Sequence, residues 1–423
     1  MAAAAWALLA WRSTGAGVML GWMLIVVAIA WATLALAWRA MAEPPASAIL
    51  LWAVIFRVAG MFASPVMEDD HHRFLWDGHR FAETGNPYAE PPQARFGDET
   101  ITPEFRAVLD RINHPDVPTV YGPATQWAFR AAHAIAPAQL WPWKFILFGA
   151  ELAILALLWP GLNGRGRLLL AWCPLAVFET GFNAHPDALA IALLVAAWRL
   201  GTGGRAVAAG AVLGVAMAAK IFAVPLAPFV LWRLGWRAWA AAAGAVLALY
   251  APFWLRGSTA DLAGLRAMAG EWEFNSSLHA LAAAASSPAI ARVVCMIAFA
   301  AIWLGLLVRK KNSAALPPGA EIYGAFLLLS ATANPWYALW LWPFVALRPS
   351  AAGIAALAAV SLAYVTGLNL GDAALGNFEH PAWLRPVEFG LVALGAVWDW
   401  RTRAQKNPPV SRFKAPGRAD PAH

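Results

Sequence analysis

Glu68, Asp69 and Asp70 stand side by side and are followed at once by His71, His72 and Arg73. The chain then reads Phe74-Leu75-Trp76-Asp77-Gly78-His79-Arg80, passes through Gly85-Asn86-Pro87-Tyr88 and reaches Val120-Tyr121-Gly122-Pro123. Acids next to cations and aromatic rings suit the handling of sugars and phosphates. A carboxylate takes a proton from an incoming hydroxyl, and an arginine forks onto a phosphate in a way that a lysine does not. Residues 67–140 hold 11 of the 24 acids and 5 of the 9 histidines, so the ionisable chemistry is concentrated in one stretch.

The rest of the chain must position that stretch, and its composition is that of a polytopic membrane protein. Apolar residues make up 61% and charged residues 13% of 423, with mean hydropathy +0.56. A soluble domain carries roughly 25% charged residues. The length leaves room for about ten spans of about 20 residues. The net charge of +7 reads as positive-inside bias, because the basic residues fall at helix ends and in the tail; nucleic acid is not an expected partner. Cys173 and Cys295 lie in apolar segments without metal-ligand spacing and read as small buried hydrophobes. The apolar start, Ala2 to Trp11, has no basic leader and no small-residue cleavage site, so a cleaved signal peptide is not expected.

Spans are expected at about 17–38, 48–66, 141–160, 168–182, 185–200, 236–255, 289–308, 351–370 and 386–400. Thr102-Pro103-Glu104 has the pattern of a helix start, with a Thr N-cap and Pro at the first position, and predicts a short amphipathic helix to about Ile112. Two apolar regions are interrupted: 206–231 by Lys220, Pro225 and Pro228, and 320–347 by Asn334-Pro335-Trp336-Tyr337 and Pro343. Each is expected to enter the membrane and return, which places nearly every basic cluster on one side and residues 67–140 on the other. Broken backbone at that depth must line a cavity or be covered by protein. The expected architecture is therefore an all-α bundle of roughly 10–13 transmembrane helices with broken hairpins and a large first outer loop. Residues 1–400 form one transmembrane domain, with 67–140 as its catalytic outer loop, and 401–423 form a basic disordered tail.

Lys220 is a lone cation in an apolar run and should face a cavity or a partner. Asn183, His185 and Asp187 share a short turn on the side of the acids. Arg57 and Glu151 sit near the middle of their spans and are expected to pair with each other. Trp272, Asn275 and His279 belong to the outer segment 256–288. No Walker loop, HExxH or zinc-type Cys/His cluster is present, and Gly201-Thr202-Gly203-Gly204 is too short for a dinucleotide fingerprint. His71 and His72, being adjacent, are not expected to share a helical face.

Glu-Asp-Asp-x-x-Arg-Phe-Leu-Trp-Asp-Gly, then Gly-Asn-Pro-Tyr, then Tyr-Gly-Pro resembles integral-membrane glycosyltransferases of the GT-C type that use polyprenyl-phosphate sugars, and among them the bacterial mannosyltransferase branch. Asn183-x-His185-Pro186-Asp187, Lys220 with its prolines, Phe274-Asn275-Ser276-Ser277 and Asn334-Pro335-Trp336-Tyr337 extend the likeness from about residue 64 to 345. Relatives often have Tyr-Pro-Pro where this chain has Tyr121-Gly122-Pro123, and Tyr where it has His72. The resemblance implies that Asp69 or Asp70 is the general base. It implies that His71, Arg73, Arg80 and Lys220 meet the donor phosphate, and that Glu68, Trp76, Asp77, Asn86, Tyr88, Tyr121, Asn183, His185, Asp187, Asn275, Trp336 and Tyr337 line the substrate path. The implied reaction is transfer of a hexose, by resemblance mannose, from a polyprenyl-phosphate sugar to a lipid-linked or glycan acceptor outside a bacterial plasma membrane. The reading names no definite cofactor and leaves a metal requirement open, the acids offering a place for a divalent cation such as Mg²⁺ or Mn²⁺. The competing class is a transporter or lipid flippase, which would concentrate charge at the bilayer midplane and show an internal repeat; the acids lie in the outer loop instead.

Overall fold

The computed structural model describes residues 1–15, 19–40, 45–313 and 316–403. The expected disordered tail, apart from Arg401–Arg403 at its start, lies outside the described residues, as do Glu43 and Pro44. Every named element among the described residues is helical, and the only strand-like feature is an isolated bridge between Phe274 and Thr332.

Helices α1 (Ala2–Ser13), α2 (Leu20–Ala40) and α3 (Ala46–Met61) pack together at the N-terminal end. At 1.5 Å per residue the 21 residues of α2 reach about 31 Å, enough for the hydrocarbon core. The second expected span runs to Val66, but α3 stops at Met61. Ser64-Pro65 explains the early stop, because the residue before proline avoids the helical region and proline itself brings no N–H.

The outer loop is a folded layer. Helix α4 (His71–Thr84) begins directly behind the acids and ends at Gly85, whose φ of +70° is the left-handed cap that glycine tolerates. Against it lie α5 (Pro103–Leu109) and α6 (Pro123–Ile135). Trp76 is buried among Phe105, Val108, Leu109 and Ile112. At Gly78 an added Cβ would stand 2.7 Å from the carbonyl oxygen of Phe129, so α4 and α6 approach as closely as they do because no side chain intervenes. Thr102 takes the N-cap position of α5 without a side-chain cap bond, and the helix ends at Leu109 rather than Ile112.

Helix α7 (Trp141–Leu158) is followed by α8 (Gly164–Trp172). The span expected at 168–182 is not one helix. It breaks at Cys173-Pro174, makes a single turn, α9 (Pro174–Ala176), and widens into a π-helical turn over Val177–Phe182 before α10 (Asp187–Thr202). Helix α11 (Ala206–Ala219) stops where Lys220 turns to extended backbone, and the chain resumes through a 3-10 stretch (Ile221–Leu226) into α12 (Ala227–Leu231). Helix α13 (Trp236–Trp254) lies along α11. Then come α14 (Leu262–Glu271), α15 (Leu278–Ala285) and α16 (Pro288–Lys310). The second interrupted region is α17 (Gly319–Leu329), a 3-10 stretch (Pro335–Trp340) and α18 (Trp342–Leu347). Helices α19 (Ala351–Ala359), α20 (Gly367–Leu370) and α21 (Leu384–Arg403) complete the chain.

Among the described residues three helices are long and apolar enough to cross a membrane by length and composition: Leu20–Ala40, Trp141–Gly161 and Pro288–Lys310. Five apolar helices of 10–17 residues accompany them. Along α16, Val293, Val294, Met296, Ile297, Leu304 and Val308 are each at least half exposed. Water would not support such a face; lipid does. Inside the bundle Arg57 and Glu151 pair as the sequence leads one to expect, with Nε to Oε2 at 3.2 Å and both side chains buried.

Candidate active site

The acids are set by a strained backbone. Met67 has φ +74°, a left-handed conformation rare outside glycine, and it turns the chain so that Glu68, Asp69 and Asp70 each present one oxygen within 4.8 Å of the others. The carbonyl of Asp70 accepts the amides of Arg73 and Phe74 and so opens α4. Its carboxylate is left for other partners. The Asn113 amide donates to Asp69 Oδ1 at 2.5 Å and to Asp70 Oδ1 at 2.9 Å, and the Tyr121 hydroxyl donates to Asp70 Oδ2 at 3.4 Å. Burial, and then Asp70, holds the Tyr121 phenol well above its ordinary range, so it stays a donor. Crowding acts on the acids too. Burial, then Asp70, Glu179 and Asp69, pushes the Glu68 carboxyl well up, and burial followed by Asp70 raises Asp69. Among the described residues no Lys or Arg pairs with any of the three. Three neighbouring oxygen ligands of this kind suit a hard divalent cation such as Mg²⁺ or Mn²⁺.

Behind Asp70 lies a buried polar array. His185 is fully buried, and its Nε2 stands 3.8 Å from Asp70 Oδ2. Its Nδ1 is 3.0 Å from Glu179 Oε2. Glu179, in the π-helical turn, also accepts the Tyr364 hydroxyl at 3.0 Å and the Asn183 amide at 3.3 Å. Asn183 Oδ1 in turn accepts the amide of Val66 at 3.1 Å, tying the array to the chain just before the acids. Ala184, with φ +64°, is the second strained residue, and its carbonyl accepts Trp143 Nε1 at 2.8 Å. Trp336 stacks on the His185 ring with centroids 3.9 Å apart. Asp187 takes Lys220 Nζ at 2.6 Å and Trp340 Nε1 at 2.7 Å, and Tyr337 lies 5.3 Å beneath the same ammonium.

The structure thus brings Glu68, Asp69, Asp70, Tyr121, Asn183, His185 and Trp336 into one connected array, with Asp187, Lys220 and Tyr337 joined through the Trp336-Tyr337 step and α10. Other expected site residues have different partners. Arg73 is buried, with Nε 3.1 Å from Asp77 Oδ1 and Nη2 donating to the Val117 carbonyl at 2.7 Å. Asp77 also accepts Thr119 Oγ1 and Gln126 Nε2 at 2.5 and 2.8 Å, so Trp76 and Asp77 hold the outer layer together. Arg80 is engaged by Glu83 and by Glu90 at 2.9 Å. It lies ten residues along α4 from Asp70, about 15 Å away at helical rise. Asn86 Oδ1 caps its own turn by accepting the amide of Tyr88, whose hydroxyl donates to the Tyr121 carbonyl at 2.8 Å. Asn275 bonds Glu388 at 3.0 Å and the Ala333 carbonyl at 3.4 Å, and the Trp272 ring lies 4.4 Å from that of His114, whose charge acts on Asp69; His279 is buried. His71 and His72 do meet, with ring centroids 4.0 Å apart. Burial first, followed for His71 by its neighbour His72, lowers them to about 3 and about 4, so neither is a cation at neutral pH.

Sequence reasoning passed over Glu179, Tyr364, Asn113 and Arg111. Glu179 had a usable signal, a carboxylate inside an apolar run. Arg111 is exposed, lies two residues from Asn113, and acts electrostatically on both His71 and His72; no carboxylate pairs with it among the described residues.

Fold and site together define a helical membrane protein that gathers carboxylates, an imidazole and aromatic rings at one polar centre. The sequence model of one family, described as alpha-(1->6)-mannopyranosyltransferase, N-terminal domain, matches residues 2–236, more than half of the chain, and covers Glu68, Asp69, Asp70, Tyr121, Glu179, Asn183, His185, Asp187 and Lys220 but not Trp336, Tyr337, Trp340 or Tyr364. The chain belongs to that family and is a glycosyltransferase that transfers mannose. No curated protein and no solved structure matches it.

Proposed function

We propose that the chain transfers mannose from a polyprenyl-phosphate donor to a lipid-linked or glycan acceptor at the outer face of a bacterial plasma membrane, with Asp70 as general base. The observation that carries the assignment of Asp70 over Asp69 is its setting: Tyr121, Asn113 and His185 converge on it, whereas Asp69, the more exposed of the two, has Asn113 alone as its side-chain donor among the described residues. In this reading Asp70 accepts the acceptor's hydroxyl proton as that oxygen bonds to the anomeric carbon. The bond from the anomeric carbon to the phosphate oxygen breaks, its electron pair leaves with polyprenyl phosphate, and the anomeric centre inverts. In this reading Arg111, and Lys220 from its pair with Asp187, offset the growing phosphate charge, and a divalent ion on the acidic trio would serve the same end. The breaks at Lys220 and at Asn334 let both interrupted segments return to the side they entered from, which keeps the outer layer opposite the basic clusters.

The test uses membranes holding the full chain, labelled polyprenyl-phosphate mannose and a crude lipid acceptor pool. Transfer should fall by roughly 10²–10⁴-fold in Asp70→Asn and by much less in Asp69→Asn. Full activity in Asp70→Asn would overturn the assignment.

A further inference from the structure

Resting on the reading of mannose transfer at Asp70, we infer that a second polar cluster, floored by Asn275, His279 and Glu388, is the acceptor subsite and takes a neutral hexose unit of the acceptor glycan. The cluster lies beyond residue 236, outside the family match. Phe274 exchanges backbone hydrogen bonds with Ala331 and Ala333 at 3.0 and 2.9 Å, which sets residues 272–279 against the chain leading to Asn334. Helix α21 brings up Glu388, whose Oε1 accepts the Asn275 amide at 3.0 Å. Glu273 links the rest: its Oε1 accepts Ser276 Oγ at 2.7 Å and stands 4.0 Å from His279 Nδ1.

The floor carries more hydrogen-bonding capacity than the protein uses. Asn275, His279 and Glu388 are 0%, 0% and 3% exposed. Asn275 Oδ1, both ring nitrogens of His279 and Glu388 Oε2 are nevertheless without a hydrogen-bond partner. Buried polar atoms left unpaired are costly and rare in folded proteins, and here they belong to three linked side chains. The set selects a polyol. An amide oxygen and a carboxylate oxygen accept, an imidazole donates at one nitrogen and accepts at the other, and sugar hydroxyls do both. A phosphate would meet Glu273 and Glu388, and the nearby arginines are engaged: Arg385 Nη1 lies 3.8 Å from Glu273 Oε1, and Arg292 Nη2 donates to the Trp272 carbonyl at 3.4 Å. A divalent cation is not favoured, because among the described residues the one group of metal-type ligands that converges is Glu68, Asp69 and Asp70. Glu273 and Arg385, 33% and 34% exposed, form a rim over the buried floor.

The position suits an acceptor. The Trp272 ring lies 4.4 Å from that of His114, and the preceding Asn113 donates to both Asp69 and Asp70. On the other side, Ala333 accepts the Asn275 amide at 3.4 Å, and three residues on Trp336 stacks on His185. The cluster is thus joined to the Asp70 centre on two sides. A sugar held on it leaves the next unit of the glycan to present its hydroxyl to Asp70.

The experiment uses the full chain purified in detergent, labelled polyprenyl-phosphate mannose, the crude lipid acceptor pool and two probes: octyl α-1,6-dimannoside and the same disaccharide without its octyl chain. Glu388→Gln keeps size and shape but removes a charged acceptor. It should raise KM for both dimannosides about tenfold, with donor KM and kcat unchanged, the pattern of lost ground-state binding. Glu273→Gln, at the rim, should raise the same KM about threefold. A purely structural role would instead lower folded yield and move donor KM and kcat as well, and that outcome overturns the subsite. A rise for the octyl glycoside alone overturns it too, since the cluster would then read the lipid and not the sugar. Transfer into the lipid pool but to neither dimannoside also overturns it, while leaving the transfer reading in place. No transfer by wild type to any acceptor overturns the transfer reading itself. Where Glu388→Gln fails to fold, Glu273→Gln decides alone: an acceptor KM at the wild-type value overturns the subsite.

Discussion

At the scale of single residues, proximity in sequence and chemical availability part company at the arginines. Arg73 sits three residues from Asp70 and resembles a phosphate ligand in every local respect. Its guanidinium is nevertheless engaged by Asp77 and the Val117 carbonyl. Arg111 lies 38 positions beyond Arg73 and carries no such partner among the described residues. The two should therefore separate experimentally. Arg111→Ala should raise the donor KM by about tenfold, the loss of one charge-assisted hydrogen bond, while leaving folded yield unchanged. Arg73→Ala should lower folded yield, because it leaves Asp77 buried without its charge partner. Size-exclusion profiles and donor titrations of the two variants check this, and a folded Arg73→Ala with only a donor defect would reverse the assignment. The acids, Asn183, His185 and Lys220 were legible from sequence because charge in an apolar chain stands out. Arg111 and Asn113 were not, since an exposed Arg and a loop Asn carry no mark of what the fold brings them beside.

At the scale of elements, the Trp-Asp-Gly run is a packing device. Trp76 fills the pocket under α5, Asp77 joins Arg73, Thr119 and Gln126, and Gly78 lets α6 come close. Gly78→Ala would drive a methyl group to 2.7 Å from a backbone oxygen. It should destabilise the outer layer by about 1–3 kcal/mol, read as a lower midpoint of thermal unfolding in detergent, and should lower transfer through loss of folded protein rather than through donor KM. The motif was visible in the sequence, but its packing contacts were not, since residue type alone does not show which partners a buried aspartate meets. The helix starts were readable from Pro103 and the break at Lys220 from its neighbours. The split at Cys173-Pro174 was missed because hydropathy runs through it without change.

At the scale of the whole molecule, the bundle is held by an ion pair that the sequence did announce. Arg57 meets Glu151 and also donates to the carbonyls of Ala53 and Ala171 at 3.1 and 2.7 Å. Removing either charge strands the other in an apolar interior, at a cost of about 3–5 kcal/mol. Exchanging the two, Arg57→Glu with Glu151→Arg, should recover part of the folded yield that either single change loses, and not all of it, since both carbonyls lose their donor. No recovery in a detergent-extracted yield assay would count against the pair as a structural link. Such midspan charges are readable because each is so costly alone that a partner is demanded. The helix count is harder to read, because short and broken apolar helices share one hydropathy with full crossings.

The π-helical turn at Val177–Phe182 has a consequence for insertions and deletions. It holds one residue more than an α-helix of the same rise would need. Deleting a single residue there would let the turn close into regular helix of the same rise, removing the widened backbone that presents Glu179 to His185 and Asn183 while the hydropathy profile stayed almost the same. A one-residue gap at this point in a related chain would therefore mark a protein that still inserts in membranes but has lost the alignment of its polar centre, and it would be more telling than many substitutions elsewhere.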